Sequence, residues 1–164
     1  MIRWLLALLL ALPPPALAAD WGHYVNPRFG YAIDIPPGFV GQGESDNGDG
    51  EVFKTPTAAL TVFGRYLLSD IDSDFEDAVG TEQQFEKQDG WSITYAVSTP
   101  QSASYSGTKG GRILYTRMIA LCGPAIATFD FEYSTTDLQK FANTVDRLVR
   151  SLKSTIGSVA CLAK

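Results

Sequence analysis

The sequence predicts an α+β fold, a mostly antiparallel sheet covered by helices, and three observations carry that prediction. Trp91, Ile93, Tyr95 and Val97 alternate with Ser92, Thr94, Ala96 and Ser98, the period-two pattern of a half-buried strand. Runs of this kind are separated by Gly- and Pro-containing breaks at hairpin distances. Leu138, Phe141, Val145, Leu148 and Leu152 recur at three and four residues, with Ala142 and Val149 widening the stripe, so the chain closes on an amphipathic helix.

Taken in order, the first residues read as an export address. Arg3 precedes an apolar run from Trp4 to Leu12, Pro13-Pro14-Pro15 ends it, and Ala16-Leu17-Ala18 is a small-x-small cleavage site. The run is shorter than the roughly 20 residues that span a bilayer. The expectation is a signal peptide over residues 1–18, against the alternative of an uncleaved anchor. No Cys lies beside the cleavage site to carry a lipid. Cleavage leaves 146 of the 164 residues, from Ala19 to Lys164, bound for the periplasm or beyond with no integral membrane segment.

That length suits one domain with a sizeable core. Loss of Arg3 leaves 12 of the 13 basic residues against 18 acidic ones, so the net charge moves from −5 to −6. An acidic chain without a basic, aromatic-interleaved stretch repels polyphosphate, and nucleic acid is excluded as a partner. A composition 45% apolar and 19% charged is that of a packed globule.

Tyr31–Ile35 alternates and stops at Pro36-Pro37-Gly38. The polar stretch 44–50 leads into strands over 51–55 and 59–65, joined around Thr55-Pro56-Thr57. Asp72 and Ser73 open a first helix, where Ser73 and Glu76 match a capping box. Ile71, Phe75, Val79 and Phe85 approximate its apolar face, weakened by Gly80. After the strand over 91–98 come a short strand over 103–106 and a turn at 107–111. A long hairpin follows, Arg112–Leu121 and Ile126–Tyr133, turning at Cys122-Gly123-Pro124-Ala125. In its return strand Ala127, Phe129, Phe131 and Tyr133 face one way, while Thr128, Asp130 and Glu132 form a solvated polar face. Thr136 with Gln139 makes a second capping box for the last helix, placed over about Asp137 to Lys153. Its basic residues Arg147, Arg150 and Lys153 suit the negative end of a helix.

Cys122 and Cys161 are the two Cys residues, and an exported chain with two favours one disulfide over two free thiols. The return strand of the hairpin covers about 25 Å at roughly 3.3 Å per residue. The closing helix covers about the same length at roughly 1.5 Å per residue. Run antiparallel, its end arrives beside the hairpin tip, and Cys161 comes within reach of Cys122.

Each candidate for chemistry is weak by itself. In an EF-hand register set on Gly50, the twelfth position falls on Pro56, which offers no side-chain oxygen. Glu44-Ser-Asp-Asn-Gly-Asp-Gly50 therefore reads as turn chemistry, with a weak divalent-cation site on Asp46, Asn47 and Asp49 as the alternative. Gly41-Gln42-Gly43 and the run from Gly107 to Arg112 lack phosphate-loop spacing. His23 is the single histidine, in an exposed lead-in, and no Gly-x-Ser-x-Gly elbow exists to use it. Asp70, Asp72, Asp74, Glu76 and Asp77 cluster where a helix start stabilises negative charge. No catalytic residue, cofactor site or metal ligand set is assigned.

Asn26-Pro-Arg-Phe-Gly-Tyr-Ala-Ile-Asp-Ile-Pro-Pro-Gly38 is similar to the opening strand of the Mog1/PsbP-like family. The 44–50 stretch before Val52-Phe53 resembles a hairpin of its exported bacterial branch. Tyr105-Ser-Gly107, Arg112–Arg117 and the helix after Phe131-Glu-Tyr133 continue the resemblance in the same order. It implies an α/β/α sandwich serving as a partner-binding or assembly-accessory module. Plant PsbP works at photosystem II and Mog1 binds a small GTPase, but no residue of either binding surface matches this chain. The expectation is thus an exported, non-enzymatic domain partnered by another envelope protein. Its rivals are a hydrolase with a dispersed site and the weak cation binder.

Overall fold

The computed structural model describes residues 20–68 and 70–157; the expected signal peptide and Cys161 lie outside them. In chain order the strands are β1 (Gly22–Asn26), β2 (Tyr31–Ile35), β3 (Val40–Glu44), β4 (Gly50–Lys54) and β5 (Ala58–Tyr66). Helix α1 (Phe75–Gln88) follows, then β6 (Ser92–Thr99), β7 (Ser102–Lys109), β8 (Arg112–Ala120) and β9 (Ala125–Ser134). A 3₁₀ turn (Thr135–Asp137), α2 (Leu138–Ser151) and β10 (Lys153–Ser154) complete them.

Among the described residues the main sheet has seven strands in the order β3-β4-β5-β9-β8-β7-β6, and every neighbouring pair in it is antiparallel. A small sheet, β1-β2-β10, lies apart from it. Alternation along β9 divides the interior. Phe129, Phe131 and Tyr133 pack with Leu60 and Val62 of β5, with Tyr31 and Ile33 of β2, and with Phe141 and Leu148 of α2. On the opposite face Ile126 joins Leu114 and Met118 of β8, Tyr105 of β7, Trp91, and Phe75, Ala78 and Val79 of α1. Helices thus cover both faces of an antiparallel sheet, the α+β sandwich that the sequence predicts.

Several elements differ from the sequence reading. The expected lead-in is strand β1, with Gly22 paired to Ile35 and Asn26 to Tyr31. β3 was not predicted; its Gly41 and Gly43 obscure the alternation. Helix α1 starts later than Ser73, because Asp74 is the residue whose carboxylate accepts from the Asp77 N–H, at 3.0 Å. The Ser73 hydroxyl is taken by the Asp77 carboxylate instead. Thr136 and Gln139 form no capping box: Ser134 caps the 3₁₀ turn, and α2 begins at Leu138 without a side-chain cap. Its end also moves, since Leu152 turns extended and Lys153 pairs with Ala32. Leu138 is exposed, whereas Phe141, Leu148 and Leu152 are buried.

Strand β6 departs furthest from the period-two expectation. Its register shifts between Ile93, opposite Gly107, and Tyr95, opposite Ser106. Paired residues share a face, so the irregularity moves Tyr95 and Val97 off the α1 side. They end about half exposed, at 50% and 49%.

Candidate functional site

Helix periodicity sets up the most unusual environment in the protein. Residues 75, 79, 82 and 86 fall on one stripe of α1, the stripe turned to the sheet. Phe75 and Val79 fill its first half with buried apolar side chains, and Glu82 and Glu86 continue it. Phe85, expected on the apolar face, is exposed, as is Ile71 ahead of the helix. The acidic half of the stripe lies over the polar face of β9.

A cavity of about 230 Å³ occupies that seam, lined by Ala59, Thr61, Glu86, Asp89, Trp91, Leu114, Asp130 and Glu132. A neighbouring hollow of about 290 Å³ shares Asp89, Trp91 and Glu132 and adds Lys109, Gly110 and Arg112. Asp130 opposes Thr61 on β5 and Thr116 on β8. The buried Thr116 hydroxyl donates to Asp130 Oδ1 at 2.5 Å. Burial, partly offset by that bond and reinforced by Glu86 and Glu82, pushes the Asp130 carboxyl up to about 7. Burial, with Asp89 and Glu82 nearby, also raises Glu86. Tyr105 lies below them, its phenol held protonated by burial and by the Asp130 charge. On the polar face of β9, Thr128 and Asp130 are therefore not solvated as the sequence predicts, whereas the Glu132 side chain stays 37% exposed. A carboxyl that changes charge near neutral pH can take up and release a proton.

The surrounding cations are committed elsewhere. Arg65 Nη1 donates to Asp72 Oδ2 at 2.7 Å, and Arg65 Nε donates to Glu82 Oε1 at 2.8 Å. Lys109 Nζ reaches Asp89 Oδ2 at 2.8 Å and lies over the Trp91 ring. Arg112 Nε donates to Glu132 Oε1. Burial works against the Asp72 charge, but the Leu68 N–H and the Arg65 guanidinium hold its carboxyl below the usual range. Asp72 is thus a buried anchor, distinct from the exposed acids around it. Asp74 caps α1 and Asp77 binds Ser73, so the acidic cluster at the helix start has structural tasks.

The 44–50 stretch is a self-satisfied turn. Ser45 Oγ donates to Asp49 Oδ1 at 2.5 Å and Asn47 Nδ2 to Asp49 Oδ2 at 2.8 Å, so both oxygens of Asp49 already have donors. Those hydrogen bonds, the Ser45 one foremost, hold the Asp49 carboxyl low. Gly48 has φ +68°, as a reversal needs, while Gly50 serves close approach: a Cβ there would meet the Val62 carbonyl oxygen at 1.8 Å. Among the described residues no group of three or more His, Cys, Asp or Glu side chains is placed to hold a metal ion.

His23 projects from β1 and its Nδ1 lies 3.2 Å from Asp34 Oδ1. Arg147 Nε donates to Asp34 Oδ2 at 2.9 Å and its Nη2 lies at 2.9 Å from the same oxygen, with the guanidinium over Trp21. This is a surface network that ties β1 and β2 to α2. Cys122 sits in the β8–β9 turn. No helix among the described residues is long and apolar enough to cross a membrane.

The antiparallel sheet between α1 on one side and α2 with a small sheet on the other is the Mog1/PsbP-like fold. A solved structure of that kind is the cyanobacterial PsbP, CyanoP, from Synechocystis sp. PCC 6803. It superimposes with a TM-score of 0.61 at 17% identity, over 88% of this chain and 98% of that one. A Pseudomonas aeruginosa protein of unknown function, PA94, aligns at a TM-score of 0.48 and 16% identity, over 84% of this chain and 99% of that one. No family model matches the sequence. No curated protein matches it either.

Proposed function

We propose that residues 19–164 form an exported, non-enzymatic accessory domain that binds another envelope protein along strand β6. The observation that carries this reading is the character of that edge. β6 ends the main sheet, runs for eight residues, and contains neither a charge nor a proline in SITYAVST. Natural sheets guard exposed edges with Lys, Pro or a very short strand. The other edge, β3, has five residues with two Gly and Glu44. An unguarded edge beside half-exposed Tyr95 and Val97 suits an added strand: main-chain bonds supply affinity and the two side chains supply selectivity. An export signal over residues 1–18 would put such a partner in the envelope. The resemblance to a family of partner-binding modules points the same way.

The test compares tagged wild-type protein with Tyr95→Lys and Val97→Lys in pull-downs from an envelope extract. Both substitutions are at exposed positions, so stability should stay within about 0.5 kcal/mol of wild type. Recovery of one specific protein by wild type and its loss with both variants supports the reading. Equal recovery by the variants removes it. One observation favours the rival hydrolase: Asp130 and Glu86 pair a proton-holding carboxyl with a second acid in a cavity. Turnover of any substrate that disappears in Asp130→Asn would put that rival first.

The same reading includes a Cys122–Cys161 disulfide. The Thr155 N–H donates to the Gly30 carbonyl at 2.8 Å, and Ile156 lies against Gly30. The neighbouring Phe29 ring contacts Tyr66, which pairs with Ala125 beside the β8–β9 turn. The chain therefore leaves the described residues close to the turn that carries Cys122, which supports the pairing.

A further inference from the structure

The two halves of α1 are held to the sheet by opposite physics. Before Gly80, Phe75, Ala78 and Val79 are buried in the apolar cluster with Trp91, Leu114 and Met118. Beyond it no residue of the helix is fully buried, and the stripe facing the sheet consists of Glu82 and Glu86. Gly80 between them faces open space, with nothing within 4 Å of where a side chain would start, and gives the helix a locally weak point. Beneath the second half lies the cavity with Asp130.

We infer that residues 81–88 form a pH-sensitive flap, seated on the sheet while the Asp130 carboxyl keeps its proton and released when that carboxyl ionises beneath Glu82 and Glu86.

The groups facing Asp130 make the balance unfavourable to charge. From α1 come Glu82 and Glu86, and from its own strand Glu132; Asp89 enters from the turn after α1. β7 contributes the Tyr105 phenol and Lys109, β8 contributes Thr116 and Arg112, and β5 contributes Thr61 and Arg65. Each cation there already has a carboxylate: Asp89 for Lys109, Glu132 for Arg112, Asp72 and Glu82 for Arg65. Ionised Asp130 would face the carboxylates of Glu86 and Glu82 across the seam, and Lys109, the cation acting on Glu86, is already shared with Asp89. Burial pushes both carboxyls upward, helped at Asp130 by the charges of Glu86 and Glu82 and at Glu86 by those of Asp89 and Glu82; Asp130 reaches about 7, which sets the range in which the flap responds. Arg65 ties Glu82 to β5 and keeps the flap hinged near Gly80 rather than detached. Lifting the remainder uncovers Trp91, the residue just before β6.

Hydrogen–deuterium exchange of the full mature chain tests this at pH 5.5 and 8.5, each rate corrected for intrinsic exchange. Protection of residues 81–88 should fall on the order of tenfold between the two, the equivalent of about one pKa unit of coupling. Residues 75–79 should hold theirs. Asp130→Asn should keep residues 81–88 protected at both pH values, and Glu86→Gln should reduce the fall. Glu86 is only part-buried, so that second variant carries the test if Asp130→Asn does not fold. Equal protection at both pH values overturns the inference. So does a fall shared equally by both helix halves, or one that survives in the folded variants.

Discussion

The Arg65 guanidinium holds Asp72 across the junction of β5 and the entry to α1, with Nη1 2.7 Å from Oδ2 and the Asp72 side chain fully buried. The same guanidinium holds Glu82 on α1. One arginine thereby fastens the sheet to the loop that precedes the helix and to the helix itself. Removing one member leaves a buried charge unpaired, which costs about 3–5 kcal/mol. Arg65→Ala, which strands the buried Asp72 carboxylate, should lose that much in a urea titration. Glu82→Gln, on the more exposed arm, should lose about 1 kcal/mol or less. Equal losses would show that burial does not separate the two pairs.

Stability should respond to pH in two regimes. Asp130 is raised to about 7 in the folded chain, so folding favours its proton and that contribution is present below the unfolded value near 4. Stability then falls as pH rises toward 7, with a slope up to about 1.4 kcal/mol per pH unit for one proton. Glu86, raised as well, acts in the same direction. Asp34 and Asp72 are lowered, so their contribution is present above the unfolded value and lost as pH falls through the folded one. Maximum stability is expected near the unfolded carboxylate range, and Asp130→Asn should flatten the limb between about pH 4 and 7. Chemical denaturation across pH 3–9 measures both limbs (~pH 4 as the divide).

Two glycines in the same turn predict different penalties. Gly50 needs space, since a methyl group would enter the Val62 carbonyl at 1.8 Å, and backbone there must shift. Gly50→Ala should cost about 1–3 kcal/mol or more through overpacking. Gly48 needs only its φ of +68°, and Gly48→Ala should cost about 1–2 kcal/mol. Thermal melts of the two variants give the order.

The proposed Cys122–Cys161 bond would close a loop of roughly 40 residues and contribute about 3–4 kcal/mol. Mature protein made in the periplasm should weigh two hydrogens less than its reduced mass. Reductant should destabilise wild type by that amount and leave Cys161→Ser unaffected. Two alkylatable thiols in native protein would exclude the bond.

Most of the sheet was legible because its strands signal locally. Tyr31–Ile35 alternates and the structure gives the same five residues. The 112–134 hairpin lies within a residue or so of its expected ends. β1 and β3 were missed, one because its alternation is short and polar, the other because its glycines carry no side chain to count. The capping boxes failed for a different reason: Ser73, Asp74, Ser134 and Thr136 all offer an oxygen, and only the path of the chain chooses among them.

The seam under α1 was half visible. Glu82 and Glu86 sit at helix spacing from Phe75 and Val79, which already places them on the buried stripe. What lies opposite was hidden, because Asp130, Glu132, Trp91 and the Thr116 hydroxyl arrive from separate strands. By itself the sequence determined where β2, β4, β5, β8 and β9 run, which face of α2 is buried from Phe141 onward and that an export-signal pattern opens the chain, since each depends on neighbours a few residues away. Tertiary structure alone decided that Asp130 lies against α1 rather than in water and that β6 ends the sheet. Burial of a charge and the order of strands depend on which distant segments meet, and no local period encodes that.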